Sequence, residues 1–127
     1  MPEQTFFMIK PDAVQKRLFG SILQVFADTA DQISRLHLRR LSRDEAELLY
    51  AEHKEKPFFE GLIEFTTCGP VIVGVCEMED AVFKGRRLVE WVREEFPVGS
   101  RKCENLVHAS DSQEAAVREI GIIFRER

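Results

Sequence analysis

Short, nearly continuous apolar runs alternate along this chain with stretches in which apolar residues recur every three or four positions. Thr5-Phe6-Phe7-Met8-Ile9 is the first run, and it reads as a buried strand closed by Lys10-Pro11-Asp12. Pro11 suits the first turn of a following helix. Ile22, Val25 and Phe26 then stand at helical spacing after Gly20. Ile33 to Arg39 alternates imperfectly between apolar Ile33, Leu36 and Leu38 and polar Ser34, Arg35 and His37, which predicts a second strand. Ser42-Arg43-Asp44-Glu45 has the form of a capping box and opens a helix with Ala46, Leu49 and Tyr50 on one side. Pro57 predicts the start of another helix, carrying Phe58, Phe59, Leu62 and Phe65. Gly69-Pro70 is punctuation before Val71-Ile72-Val73-Gly74-Val75-Cys76, the clearest buried strand of the chain. Val82, Leu88, Val89 and Val92 predict a helix through the basic stretch Lys84 to Arg87. Leu106-Val107-His108 reads as a short strand, and Asp111 or Ser112 as the cap of a last helix, Gln113 to Glu119.

The predicted order is β-α-β-α-β-α-β-α. Brief strands separated by helices fit an α/β fold or a split-βαβ sandwich, and periodicity alone does not choose between them. There is no internal repeat, low-complexity tract or Gly/Ser/Pro-rich linker, so a single domain over residues 1–127 is expected.

Composition narrows the class. A chain of 127 residues, 44% hydrophobic and 31% charged, suits a soluble globular domain with one real core. No apolar run approaches the roughly 18 residues of a membrane-spanning helix. Met1-Pro2-Glu3-Gln4 lacks the basic start and apolar stretch of an export signal, so a cytoplasmic location is expected. Three cysteines (Cys68, Cys76 and Cys103) cannot all pair and match no zinc spacing, which reads as reduced thiols. A formal net charge of -4 argues against general nucleic-acid binding and leaves room for a local basic pocket.

His108 is the side chain with the most chemical promise. It ends an apolar run just before Ser110-Asp111-Ser112, a helix start where amide groups and the helix dipole favour an anion. A neutral imidazole there acts as a nucleophile or general base, or else is a hydrogen-bonded structural histidine. His37 and His53 sit among surface-type residues and read as solvated. Lys10, at the end of a buried strand, is either a phosphate contact or a lysine snorkelling from the sheet edge. Glu119 on the last helix reads by default as solvated. Phe58 and Phe59 read by default as core, with an exposed Phe59 available to stack on a base. Arg86, Arg87, Arg93, Arg101 and Lys102 form a basic region before His108, either a solvated face or a set converging on phosphates. No P-loop or strand–GxGxxG–helix unit is present.

Taken together, these segments resemble the nucleoside diphosphate kinase family. The resemblance rests on Ile9-Lys10-Pro11-Asp12-Ala13-Val14 with Gly20, on Tyr50 through Pro57-Phe58-Phe59-x-x-Leu62, and on Cys68-Gly69-Pro70-Val71. Its most specific element is Asn105-Leu106-Val107-His108-Ala109-Ser110-Asp111-Ser112 with Glu119 following. It covers nearly the whole chain. The resemblance implies an α+β, ferredoxin-like βαββαβ sandwich: a four-stranded antiparallel sheet with helices on one face. It implies a ping-pong reaction in which ATP phosphorylates a histidine and a nucleoside diphosphate then takes the phosphate. By position His108 is the nucleophile, with Glu119 and Ser110 behind it holding the tautomer that leaves the reactive nitrogen free. Lys10 would bind the transferring phosphate with Tyr50 hydrogen-bonded close by, and Asn105 the ribose. Phe59 would stack on the base beside Leu62. Arg86 matches a phosphate-binding arginine; Arg93 matches the second, with Arg101 its rival. Mg2+ would bridge the nucleotide phosphates with few protein ligands.

One region departs from the family pattern. Between Arg87 and Asn105 a long loop with a threonine phosphate ligand is shortened by roughly eight to ten residues, a loss that an apolar helical extension can absorb. The same loop helps pack subunits, so a dimer-based homo-oligomer (dimer or tetramer) is expected in place of a hexamer. The shortening also opens an alternative reading, a nucleotide-binding regulatory homologue with weak or lost kinase activity.

Overall fold

The computed structural model describes residues 2–125. Its sheet has four strands, β1 (Glu3–Ile9), β2 (Gln32–Arg39), β3 (Val71–Met78) and β4 (Val107–Ala109), in the order β2-β3-β1-β4. All three neighbouring pairs are antiparallel. Helices α1 (Pro11–Gln15) and α2 (Phe19–Thr29) connect β1 to β2, and α5 (Ala81–Glu95) connects β3 to β4. That is the ferredoxin-like βαββαβ arrangement the resemblance implied. Between β2 and β3 the chain inserts α3 (Arg43–Leu49), a 3-10 turn over Ala51–His53, and α4 (Phe59–Thr67); α6 (Gln113–Ile123) follows β4.

Helices cover both faces of the sheet, not one. β1 and β3 are apolar at consecutive positions, and neighbouring side chains on a strand point to opposite faces, so both faces need a cover. Phe6, Met8, Val71, Val73 and Val75 pack under Leu49, Ile63 and Ile123 from α3, α4 and α6. Phe7, Ile9, Ile72 and Cys76 pack under Ile22, Phe26, Val89 and Val92 from α2 and α5. Phe7 lies opposite Gly74 in register and stacks on Phe26 with ring centres 4.6 Å apart. A Cβ on Gly74 would sit 2.4 Å from the Phe7 ring, so this mid-strand position needs glycine.

The local signals explain most element ends. Ser42 and Glu45 form both bonds of the capping box, and Ser112 caps α6 by accepting from Ala115 N. α4 starts at Phe59, two residues after Pro57, which lies in the turn before it. α5 continues to Glu95 with Val92 buried, so a longer helix occupies part of the shortened segment. β2 is an edge strand, bulged between Ile33 and Arg35, with Leu36 45% and Leu38 68% exposed. β4 begins one residue later than its apolar run suggests, because Leu106 has φ 75° and cannot extend a strand. Among the described residues no helix is long and apolar enough to cross a membrane.

Candidate active site

The site is built around a strained turn. Val107 N donates to Asn105 O (2.9 Å) across Leu106, a three-residue turn that forces this buried leucine to positive φ. The surrounding chain clamps it. Leu106 N donates to Asp12 Oδ2 (3.1 Å), and Lys10 N donates to Leu106 O (2.9 Å). Arg93 donates from Nε to Asn105 O (3.1 Å) and from Nη2 to Val107 O (2.9 Å). Lys10, Pro11 and Asp12 thus bind the end of β1 to the start of β4. Asp12 is a positioning residue that sequence reasoning passed over; its place directly after Lys10-Pro11 was the available signal.

His108 follows two residues later. In register it pairs with Met8, which puts its ring on the Phe6 side of the sheet, 6.0 Å from the Phe6 ring and 6.0 Å from that of Tyr50. His108 Nε2 lies 3.1 Å from Oε2 of Glu119, a side chain almost wholly buried. Ser110 Oγ donates to the other oxygen, Oε1, at 2.6 Å, and itself accepts from Phe6 N at 3.2 Å. A carboxylate only accepts, so the bond to Glu119 places the imidazole proton on Nε2. The lone pair is then on Nδ1, which has no hydrogen-bond partner among the described residues.

Lys10 is buried, and its Nζ donates to Asn105 Oδ1 at 3.0 Å while lying 5.6 Å from the centre of the Phe65 ring. The expected Lys10–Tyr50 hydrogen bond is absent. The ammonium turns to the amide oxygen, and the buried Tyr50 hydroxyl lies beside Thr66 with no hydrogen bond of good geometry among the described residues. Burial lowers the Lys10 pKa from 10.5 to about 8, with Arg93 adding to the drop and Asp12 and Cys103 opposing it. Burial also raises the Tyr50 pKa, and the Glu119 charge adds to it.

The Lys10 shift sets a pH dependence. Below about pH 8 the lysine is charged whether the protein is folded or not, and burying that charge costs about 3 kcal/mol. The cost disappears between about pH 8, where the folded protein releases the proton, and 10.5, where the unfolded chain does. Stability of the ligand-free protein should therefore rise with pH across that window, while affinity for a polyanion should fall. Thermal melts and ADP titrations from pH 7 to 10 check both; a flat profile in either would refute the assignment.

Phe58 at the N-cap of α4, with Gly61 and Leu62 three and four residues on, lines the cleft, and Phe59 and Ile63 turn into the core. This corrects the expectation for Phe59. It is only 8% exposed and packs under the sheet, while Phe58 is 46% exposed and lines the cleft. His53 is likewise not a solvated histidine: it is half-buried at the cleft wall, 5.4 Å from the Phe58 ring. His37 is exposed, as read.

Together these groups line a cleft of about 560 Å³. Lys10, Tyr50, Leu62, Arg93, Asn105 and His108 meet there; so does Arg101, with Lys56, Lys102 and Cys103. Arg86 does not line it. Its Nη1 donates to Ala109 O (3.2 Å), beside the contacts of Arg93 on β4. Ser110 and Glu119 stand behind His108. The chain has 22 carboxylates, yet none lines this cleft, whereas five lysines and arginines do. Two other grooves of comparable size are lined partly by carboxylates, among them Asp44, Glu47 and Glu60 in one and Asp44 and Glu45 in the other. A net-negative protein that concentrates cations around a histidine with a free ring nitrogen has a site for a phosphorylated anion. Among the described residues no group of three His, Cys, Asp or Glu side chains could hold a metal ion.

Comparison with known proteins gives a consistent match. The nucleoside diphosphate kinase family model matches residues 3–127. A nucleoside diphosphate kinase of Sulfurisphaera tokodaii is 42% identical over 132 aligned positions, covering 98% of this chain and 90% of the relative. Among solved structures, the nucleoside diphosphate kinase of Aquifex aeolicus superposes with a TM-score of 0.86 at 38% identity, over 98% of this chain and 96% of that one. A halophilic nucleoside diphosphate kinase from Halobacterium salinarum, solved in complex with CDP, gives 0.85 at 33% identity, over 99% and 90%.

Proposed function

The chain belongs to the nucleoside diphosphate kinase family, a family of phosphotransferases, and we propose that it passes the γ-phosphate of ATP to nucleoside diphosphates through phospho-His108. The observation that carries this is the His108–Glu119–Ser110 chain, which presents an unprotonated Nδ1 to a cleft lined by cations and no carboxylate. In the first half-reaction a bond forms from Nδ1 to the γ-phosphorus as the bond to the bridging oxygen breaks, and ADP leaves. The Nε2 proton stays on the ring, held by Glu119, so the phosphorylated imidazole carries its positive charge beside a carboxylate. A second nucleoside diphosphate reverses the step. Phosphoryl transfer needs positioning and charge stabilisation above all. Lys10 and Arg93 provide the charge, and Asn105, fixed by Lys10 and by its own bond to the Lys102 carbonyl (3.1 Å), stands ready for the ribose.

Phe58 and Leu62 form the apolar wall for the base. A ring stacked on a base's face does not read its edges, so broad base acceptance follows. Phe58→Ala should weaken ADP binding by about tenfold with little change in melting temperature, since stacking contributes roughly 1–3 kcal/mol. Phe59→Ala should do the opposite, lowering stability by about 3 kcal/mol through the cavity it leaves. Equal behaviour of the two variants would argue against this assignment.

Mg2+ would be carried on the nucleotide phosphates and would neutralise their charge there; a cleft without carboxylates fits a metal carried by the substrate. We take residues 1–127 as one domain acting in the cytoplasm; the absence of an interdomain linker and of a helix able to cross a membrane among the described residues supports this. The bare β2 edge, with Leu36 and Leu38 exposed, supports a dimer-based assembly, for which sedimentation is the readout. The deciding experiment incubates the protein with γ-labelled ATP. Acid-labile, alkali-stable label should appear with Mg2+, vanish with a chelator, and leave on addition of any nucleoside diphosphate. No label on the wild type would refute the kinase reading.

A further inference from the structure

Two of the arginines near the cleft are already engaged. In the antiparallel pairing of β1 with β4, the carbonyl of Leu106 points at β1, so those of Asn105, Val107 and Ala109 point to the open edge. Arg93 binds the first two and Arg86 the third. Both guanidinium groups thereby seal the free edge of β4 and hold the strand that carries His108. Arg93 keeps only part of its donor set for a ligand.

Arg101 is different. It lies in the shortened segment between α5 and β4, it is exposed, and it lines the cleft. Its guanidinium makes no hydrogen bond or ion pair among the described residues. It rests 5.9 Å from the centre of the Phe65 ring, the same ring that Lys10 Nζ approaches at 5.6 Å. Two cations gathered on one ring, in a cleft without a carboxylate, repel each other until an anion arrives between them.

The segment is shaped to keep Arg101 there. Gly99 N donates to Glu104 O (2.9 Å) and Glu104 N to Arg101 O (3.0 Å), closing a tight turn. A Cβ on Gly99 would lie 2.6 Å from Glu104 Cβ, so the turn closes only over glycine. Across the cleft Gly61 packs beside the side chain; a Cβ added there would lie 3.5 Å from Arg101 Nη2, an ordinary contact.

We propose that Arg101 is a phosphate-binding guanidinium of this site, supplied by the shortened segment itself and directed at the polyphosphate of the bound nucleotide. The proposal rests on the nucleotide-binding reading above. Its five donors form a fork that matches phosphate oxygens bidentately, which an engaged arginine or a lysine cannot reproduce in full.

The test is a charge series at position 101, with ADP affinity measured by calorimetry at fixed salt and melting temperature recorded alongside. Arg101→Ala should weaken ADP binding about 10- to 100-fold. Arg101→Lys should recover part of that loss, and Arg101→Glu should bind more weakly than Arg101→Ala. Melting temperatures should stay at the wild-type value, because the side chain holds nothing else in place. Equal ADP affinity across the series, or a loss that does not follow charge, would overturn the proposal. Wild-type protein that fails to bind ADP would overturn the nucleotide reading with it. Wild-type protein that binds ADP, follows the charge order and takes no label from ATP would refute only the kinase chemistry and uphold the role of Arg101.

Discussion

His108→Ala should take no label from γ-labelled ATP, and its turnover should fall by about 10⁴-fold or more. The expectation follows from geometry that leaves no substitute. The other histidines are His37, exposed on β2, and His53, at the cleft wall beside Phe58. The carboxylate beside His53, exposed Glu52, lies 3.8 Å from its Nε2, beyond hydrogen-bond distance, whereas buried Glu119 binds His108 at 3.1 Å. Removing the ring deletes the nitrogen proposed to accept the phosphoryl group. Nucleotide affinity should survive, because Lys10, Asn105, Phe58 and the arginines remain. ADP titration of the variant separates the two effects. Label persisting on His108→Ala at the wild-type level would move the phosphate carrier elsewhere and undo the proposed mechanism.

Glu119→Gln should slow phosphorylation by roughly 100- to 1,000-fold while changing ADP affinity little. The two side chains have the same shape, so the cavity is not the issue. The carboxylate accepts from two donors at once, His108 Nε2 at 3.1 Å and Ser110 Oγ at 2.6 Å. An amide has one oxygen for those two donors. If the oxygen serves Ser110, the amide NH2 faces the ring, and Nε2 must become the acceptor. The proton then moves to Nδ1 and removes the lone pair that attacks phosphorus. If the oxygen serves His108, the NH2 is pressed against a buried hydroxyl that must itself rotate to accept, and the negative charge that stabilises the phosphorylated ring is gone in either case. Nitrogen-15 NMR of the imidazole reports the tautomer directly. A variant with the wild-type rate and the wild-type Nε2–H tautomer would remove Glu119 from the mechanism.

The shortened segment bears on both results. Lost loop residues would matter most if they alone brought charge to the phosphates. In this chain Arg93 sits on the extended helix α5 and Arg101 on the turn after it, and both line the cleft. No feature of the site favours a regulator without turnover over an enzyme. The proposed nucleophile, the carboxylate that holds its ring and the cationic wall are all assembled.

Much of this was legible along the chain, and the gaps have physical causes. Strands such as Val71–Met78 declare themselves because consecutive apolar residues are the direct consequence of burial on both faces. The capping box at Ser42 and Glu45 and the cap at Ser112 are local hydrogen-bond patterns, complete within four residues. Phe58 against Phe59 was not legible. Two adjacent phenylalanines have the same hydropathy, and only the position at which α4 starts decides which one turns to the core. His53 was obscure for a related reason: it is a polar residue in a polar stretch, and only the opposing wall makes it part of a site. Arg101 could be named only as a rival of Arg93, because the bonds that engage Arg93 come from a strand distant in the chain.

The sequence by itself determined which residues would be buried in strands, where the helices would be capped, and that an Asn-x-x-His-Ala-Ser-Asp segment with a following glutamate is the candidate for the chemistry. Those properties live in hydropathy, in local bonds and in residue identity. Only the tertiary structure decided the covering of both faces, the strained turn at Leu106 and the distances at which His108 and Ser110 meet Glu119. It also decided that Lys10 would be buried against Asn105, and therefore that its proton would be held weakly enough to matter near pH 8. Each of these depends on desolvation or on a partner distant in the chain, and neither leaves a periodic mark on the residues between.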